Sequence, residues 1–329
     1  MPPEQLSDAV QTLPSVHSSG AWVKTQPFVA TQVALCAAGP GQRGDRAEIR
    51  GHFGAATLGR RIGTPRALRL QCHHAQQQDL ALALHNHGIT HAPAFAPAHV
   101  ANIVALVRAR YFDGLAILRS QDNYVAQWGD PHADDPAKKR SLGTVLTDLP
   151  AEYTRTVDGL SFTPAPDGDV YAPQTGWSEG MPAARDLARQ QAWLAHCYGM
   201  VGVGRSEPPD TGSGTELYVV TGHAPRHLDR NLAMVGRVVQ GMELLSTLPR
   251  GTEALGFYAK PEQRVPIRSV RLAADLPEAQ RLSLEVLRTD TRTWDAFVAS
   301  RRTRREPFFA EPTGRIEICN VLILMRKRP

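Results

Sequence analysis

At 329 residues, with 42% apolar side chains and a formal net charge of +5, the chain can hold one large or two ordinary folded domains and is too apolar to be disordered. So small a charge over this length does not mark a nucleic-acid protein, and no apolar run approaches the ~18 residues a membrane span needs. The four cysteines, Cys36, Cys72, Cys197 and Cys319, stand far apart with no Cys-x-x-Cys pair. Free or buried thiols are therefore expected, and a disulfide framework or cysteine zinc site is not.

Residues 1–65 show no sustained period and are broken by Gly, Ser, Pro, Gln and Arg, so they are expected as a poorly ordered extension. They lack a basic start followed by an apolar run, the mark of a signal peptide; localisation is left open. Ala67–Gln71 and Leu80–His85 are expected as two strands of a hairpin around a polar loop. The nearby Cys72, His73, His74, His85, His87 and His91 suit zinc by ligand type but not by spacing. They read as a histidine-rich loop, and no metal is expected.

Pro97 to Asp113 is expected as an amphipathic helix, with Pro97 in the first turn, Val100, Ile103, Val104 and Val107 at helical spacing, and Gly114 as the stop. Leu115 to Trp128 is expected as two short strands around a polar bend at Ser120–Asn123. A single arginine, Arg119, sits there among apolar neighbours, with Tyr124 and Gln127 close behind, the pattern of a cation fixed in an apolar groove. Asp130 to Gly143 reads as a loop whose Asp130, His132, Asp134 and Asp135 lack the order of a calcium loop. Thr144 to Ala195, rich in Pro, Gly and Asp, reads as a surface insertion pinned by Phe162, Tyr171, Trp177 and Trp193.

Further on, Gly199–Gly204 and Thr215–Thr221 are expected as strands, the first lacking the glycine spacing of a phosphate cradle. A turn at His227–Asp229 precedes a strand at Met234–Val239, a short helix at Gly241–Leu248 and a strand at Ile267–Leu272. Beyond it, Arg281–Ser300 has helical periodicity in Leu284, Leu287, Trp294 and Phe297. The cluster Arg301, Arg302, Arg304 and Arg305 reads as a solvated helix end, and Glu317–Met325 as a terminal strand. The total is a mainly β protein for which a closed antiparallel barrel is expected, since closure removes sheet edges.

Several ordered stretches resemble one family. Ala96-Pro97 through Asn102-Ile103 resembles its opening helix, and Tyr111-Phe112-Asp113-Gly114 precedes the arginine strand as it does there. Gln127-Trp128-Gly129-Asp130 resembles a family Gln-Gly-Gly-Asp, and Gly214-Thr215-Glu216-Leu217-Tyr218-Val219 a Gly-Ser-Gln-Phe-Phe-Ile. His227-Leu228-Asp229 and Val235-Gly236-Arg237 through Gly241-Met242 fit the family's next stretch. In order and spacing, from about Ala92 to Leu272, the chain resembles the cyclophilin-type peptidyl-prolyl cis-trans isomerases.

The resemblance implies a cyclophilin-like closed barrel with two capping helices over residues 66–272. An insertion at about 131–195 would interrupt it, with extensions over 1–65 and 273–329. It also implies isomerisation of X-Pro peptide bonds in proline-containing polypeptides, with no cofactor, no nucleic acid, no membrane span and no second subunit. By the same likeness Arg119 is the catalytic arginine and Gln127 its holder. Tyr124, Val125, Tyr218 and Leu228 line a proline pocket, and Gly204 and Arg205 form an edge for the substrate backbone. Departures around the groove are Glu216 for a glutamine, His227 for a tryptophan and Leu232 for a histidine, with tyrosines at 124 and 218 for phenylalanines. The competing reading is a proline-peptide binding or chaperone module with little turnover. A serine hydrolase is disfavoured, because no Gly-x-Ser-x-Gly elbow occurs.

Overall fold

Short apolar runs separated by turn residues make this molecule mainly β, as strand chemistry dictates. The computed structural model describes residues 22–24, 31–35, 87–282 and 284–327. In chain order come β1 (Trp22–Lys24), β2 (Thr31–Leu35), β3 (His87–His91), helix α1 (Pro97–Arg108), β4 (Ala116–Ser120) and β5 (Val125–Gly129). The stretch expected as an insertion carries β6 (Arg155–Thr156), β7 (Thr163–Pro164), β8 (Gln174–Ser178), β9 (Met181–Asp186) and β10 (Gln191–Leu194). Then come β11 (Met200–Val203), β12 (Leu217–Val220), β13 (Met234–Gln240), α2 (Met242–Ser246), β14 (Val265–Leu272), β15 (Leu284–Leu287), α3 (Arg292–Thr303) and β16 (Met325–Lys327).

The main sheet is a curled antiparallel one with neighbours in the order β11, β12, β5, β4, β14, β2, β3, β13. Its concave face holds a core of Ile117, Ala126, Trp128, Val201, Val203, Leu217, Val219, Val235 and Ile267, onto which α1 packs Val100, Ile103, Leu106 and Val107, and α2 packs Leu245. Helix α1 begins at Pro97 as expected and ends earlier, at Arg108. A carboxylate from the insertion tethers its first turn: Glu152 accepts from the amides of Ala98 and His99 at 2.9 Å each and from His99 Nδ1 at 2.7 Å. Negative charge at a helix N-terminus is favourable because the first amides have no partner within the helix.

A second core lies on the other face of the sheet. Val125, Met200, Tyr218, Val220 and Met234 of the main sheet meet Trp177, Met181, Ala183 and Leu194 of the insertion there. Leu287, Trp294, Phe297, Val298, Ile318, Val321 and Ile323 of the C-terminal extension complete it. Trp177 and Trp294 meet edge to face, with ring centroids 5.0 Å apart.

Several expectations need correction. The insertion is no mere surface excursion: β6, β10, β9, β8 and β7 form a five-stranded antiparallel sheet. Its Trp177 and Trp193 are buried while Tyr171 stays exposed. Residues 281–300 are not one helix. Leu284 and Leu287 belong to strand β15, paired with β1 and β16, because burial on alternate residues won over helical spacing there. The terminal strand begins only at Met325, after a 3-10 turn at Ile318–Asn320. Cys197 and Cys319 are not free thiols but form a disulfide across 122 residues of sequence, a contact made by the fold that local spacing does not announce. Strands β1 and β2 fall inside the stretch expected to be without order. The expected hairpin at 67–85, with Cys72, His73, His74 and His85, lies outside the described residues. Among the described residues no group of three or more His, Cys, Asp or Glu could hold a metal, and no helix is long and apolar enough to cross a membrane.

Candidate active site

Arg119 reaches the outer face of the main sheet through an irregularity in β4. Ile117 opposes Trp128 and Arg119 opposes Gln127, so two steps along β4 match one step along β5. Ile117 and Trp128 both point into the first core. Strict alternation would send Arg119 after Ile117; the extra residue, Leu118, reverses the phase and turns the guanidinium outward. The register then continues across the sheet: Gln127 opposes Tyr218, and Tyr218 opposes Gly202. Residues directly opposite in an antiparallel pair share a face, so Arg119, Gln127, Tyr218 and Gly202 form one row.

The guanidinium is fixed on three sides. Nη1 donates to Gln127 Oε1 at 2.9 Å, Nε to the Leu255 carbonyl at 2.6 Å, and Nη2 to Gln121 Oε1. Its carbon lies 5.7 Å from the centroid of the Tyr124 ring and 5.4 Å from that of Phe257. A guanidinium has more N–H donors than these three bonds use, so terminal donors remain for a ligand. Partial burial lowers the Arg119 pKa from its ordinary value, opposed by the charges of Tyr124 and Glu216.

Gln127 is buried and turns its amide nitrogen to Glu216 Oε1 at 2.7 Å. Burial raises the Glu216 carboxyl above 4.5, with the Gln127 hydrogen bond and the Arg119 charge pulling less strongly the other way. Gly204 lies against this pair: a Cβ there would sit 3.2 Å from Glu216 Oε2 and 3.3 Å from Gln127 Nε2. Tyr124 stacks on the exposed His227 ring, nearly parallel, with centroids 6.2 Å apart. Val125 is buried beside Tyr218 in the second core, and Leu232 packs on that core from its edge. Leu228 is half-buried on the 3-10 turn Arg226–Leu228.

Arg119, Gln127, Tyr124, Glu216, Tyr218, Gly204 and His227 are thus brought to one region by direct contacts or register. Arg205 is not turned to Arg119. Its guanidinium donates to the Asn231 and Ser206 carbonyls and lies over the Tyr153 ring at 5.6 Å. Sequence reasoning missed Gln121, Leu255 and Phe257 around Arg119, and Gly202 beneath Tyr218. A polar residue two positions after the arginine was a usable signal for Gln121. For Leu255 the bond comes from a backbone carbonyl, which no side chain advertises.

The residues 89–272 match the family described as "Cyclophilin type peptidyl-prolyl cis-trans isomerase/CLD". A protein of Brucella abortus named "Probable peptidyl-prolyl cis-trans isomerase" is 26% identical over 179 residues, covering 53% of this chain and 71% of that one. Its Brucella suis counterpart gives the same figures, 26% over 179 residues. The crystal structure of cyclophilin AquaCyp293 from Hirschia baltica shares the fold with a TM-score of 0.60 at 19% identity, covering 85% of this chain and 87% of that one. Matched over more than half its length, with the arginine row on the outer face of its main sheet, the chain belongs to the cyclophilin-type peptidyl-prolyl cis-trans isomerases.

Proposed function

We propose that this peptidyl-prolyl cis-trans isomerase acts through Arg119, whose unengaged N–H donors meet the nitrogen of a substrate prolyl amide. The planar amide delocalises its nitrogen lone pair, and rotation costs ~18–20 kcal/mol. In the twisted state the lone pair localises on nitrogen and accepts a hydrogen bond that neither planar isomer accepts as well. A donor held at that point therefore binds the transition state in preference to the ground states. A differential of ~4 kcal/mol would give about a thousandfold acceleration. No bond is made or broken and no electron is gained or lost, so the reaction calls for no cofactor.

In this reading Gln127 and the Leu255 carbonyl hold Arg119, with Tyr124, Val125, Tyr218 and Leu228 lining the proline pocket. Gly204, Arg205, Glu216, His227 and Leu232 border the substrate backbone. Substrates are proline-containing polypeptides, bound by a monomer without nucleic acid. The domain is taken as residues 66–272, with an insertion at about 131–195 and flanking extensions. Its sheet is taken as a closed barrel capped by α1 and α2; the pairing of β11 with both β12 and β13 supports closure.

The observation that carries the proposal is the three-sided fixation of a partly buried guanidinium, which is the pre-organisation electrostatic catalysis requires. It is tested by measuring isomerisation of a proline peptide with wild type and Arg119→Ala. The expected loss in kcat/KM is roughly 10²–10³-fold, the size seen when one transition-state donor is removed. Acceleration untouched by the substitution would overturn the role of Arg119. Peptide binding with no acceleration by wild type would favour the binding-module reading.

A further inference from the structure

The hydroxyl of Tyr218 is the end of a buried polar chain that the lining of a proline pocket does not by itself require. Tyr218 Oη lies 2.9 Å from His196 Nε2, and His196 Nδ1 lies 2.8 Å from Asp229 Oδ1. Asp229 also accepts from the His196 amide at 2.9 Å, from Trp193 Nε1 at 3.3 Å and from Arg226 Nε at 2.6 Å. Arg226 goes on to Asp169 of the insertion, with Nη1–Oδ2 2.9 Å and Nη2–Oδ1 3.2 Å. Its Nη1 also lies 3.6 Å from Glu317 of the C-terminal extension. The side chains of His196, Asp229, Arg226 and Asp169 are all less than 5% exposed. Beside the chain, the Cys197–Cys319 disulfide joins the residue after His196 to the segment carrying Glu317.

Hydrogen-bond chemistry sets the direction of this chain. Asp229 is an acceptor, so His196 donates to it from Nδ1, and its Nε2 pairs with the Tyr218 hydroxyl, which also lies 3.7 Å from Met234 Sδ. The ring is also constrained from its face: a Cβ on Gly202 would come within 2.3 Å of Tyr218 Cζ and Oη. Tyr218 is therefore held at its tip and along its side, in the row that holds Arg119 and Gln127.

We propose that the insertion and the C-terminal extension are positioning elements of the active site. Through Asp169, Glu317, Arg226, Asp229 and His196 they fix the phenol of Tyr218 and so set the shape of the proline pocket. The inference rests on placing Tyr218 in that pocket, and it gives both accessory segments a role in substrate discrimination.

The test is a double-mutant cycle on Asp169→Asn and Tyr218→Phe in the full chain. It reads the ratio of kcat/KM for a proline peptide over the matching pipecolate peptide, whose six-membered ring needs a different pocket. Each single change is expected to shift that ratio about threefold to tenfold, the scale of one hydrogen bond. The double mutant should shift it no further than Tyr218→Phe, because the path runs through the hydroxyl. Arg108→Ala, which removes an exposed ion pair with Asp275, should leave the ratio unchanged. A purely structural brace would lower the unfolding midpoint of Asp169→Asn with the ratio at its wild-type value, and that result overturns the proposal. Simple addition of the two effects overturns it as well. Should wild type accelerate nothing, the isomerase reading fails, and the same cycle is decided on the dissociation constants of the two peptides.

Discussion

Glu216 sits in surroundings that disfavour its charged form. Burial raises its pKa above 4.5, so the folded protein keeps a proton that the unfolded chain has already released. Between 4.5 and that raised value, a rise in pH ionises the carboxyl in the unfolded state first, and folding stability falls. The contribution is whole below the window and lost above it. Glu216→Gln, which keeps an acceptor for Gln127 without a charge, is expected to raise the melting temperature at neutral pH and leave it nearly unchanged below pH 4.5. Equal shifts at both pH values would show that the carboxyl is not the cause. The same carboxylate, once ionised, holds the amide nitrogen of Gln127 and leaves its oxygen to Arg119. Arg119, Gln127 and Tyr218 were legible in the sequence, because ordered motifs carried them to adjacent strands. His196 and Arg226 were not: His196 meets Asp229 across 33 positions, and Arg226 meets Asp169 across 57.

At the scale of elements, the irregularity in β4 and the glycine in β11 together make the outer row. A strand glycine is entropically poor and is kept where another group must come close. Gly202 fits that description, since Tyr218 occupies the volume its Cβ would need. Gly202→Ala must push the ring off its seat and stretch the bond to His196. It is expected to cost roughly 1–3 kcal/mol of stability, as overpacked cores do, and to lower kcat/KM for proline peptides. Urea unfolding and the isomerisation assay measure the two effects; an unchanged midpoint would mean the ring yields without cost. Helix α1 was readable because its apolar residues repeat over a full 12 residues. The segment 284–287 was misread because Leu284 and Leu287, three apart, mimic a helical spacing, while the strand buries the alternate pair Glu285 and Leu287. Short apolar stretches carry no period long enough to separate the two.

At the scale of the whole molecule, the insertion and the extension share one core with the outer face of the main sheet. For 144–195 a surface excursion was expected because that stretch is rich in Pro, Gly and Asp, yet tertiary packing recruited its sparse aromatics into buried clusters. The Cys197–Cys319 bond closes this arrangement covalently over 122 residues. Joining positions so far apart removes loop-closure freedom from the unfolded chain, worth up to ~5 kcal/mol on the entropy argument and more often about 2–4. Cys319→Ala is expected to lower unfolding stability by that amount, and the same loss should occur when wild type is assayed in reductant. Adding reductant to Cys319→Ala should change little more, which separates the bond from any effect of the three cysteines that variant keeps, Cys36, Cys72 and Cys197. Such a bond persists in oxidising surroundings and is rare in a reducing cytosol. Protein taken from its native compartment should therefore carry Cys197 and Cys319 blocked to alkylation before reduction and open after it. Alkylation of both without reductant would show that the native protein holds the extension without the disulfide, through packing, the pairing of β15 with β1 and the ion pairs Arg226–Glu317 and Arg302–Asp167.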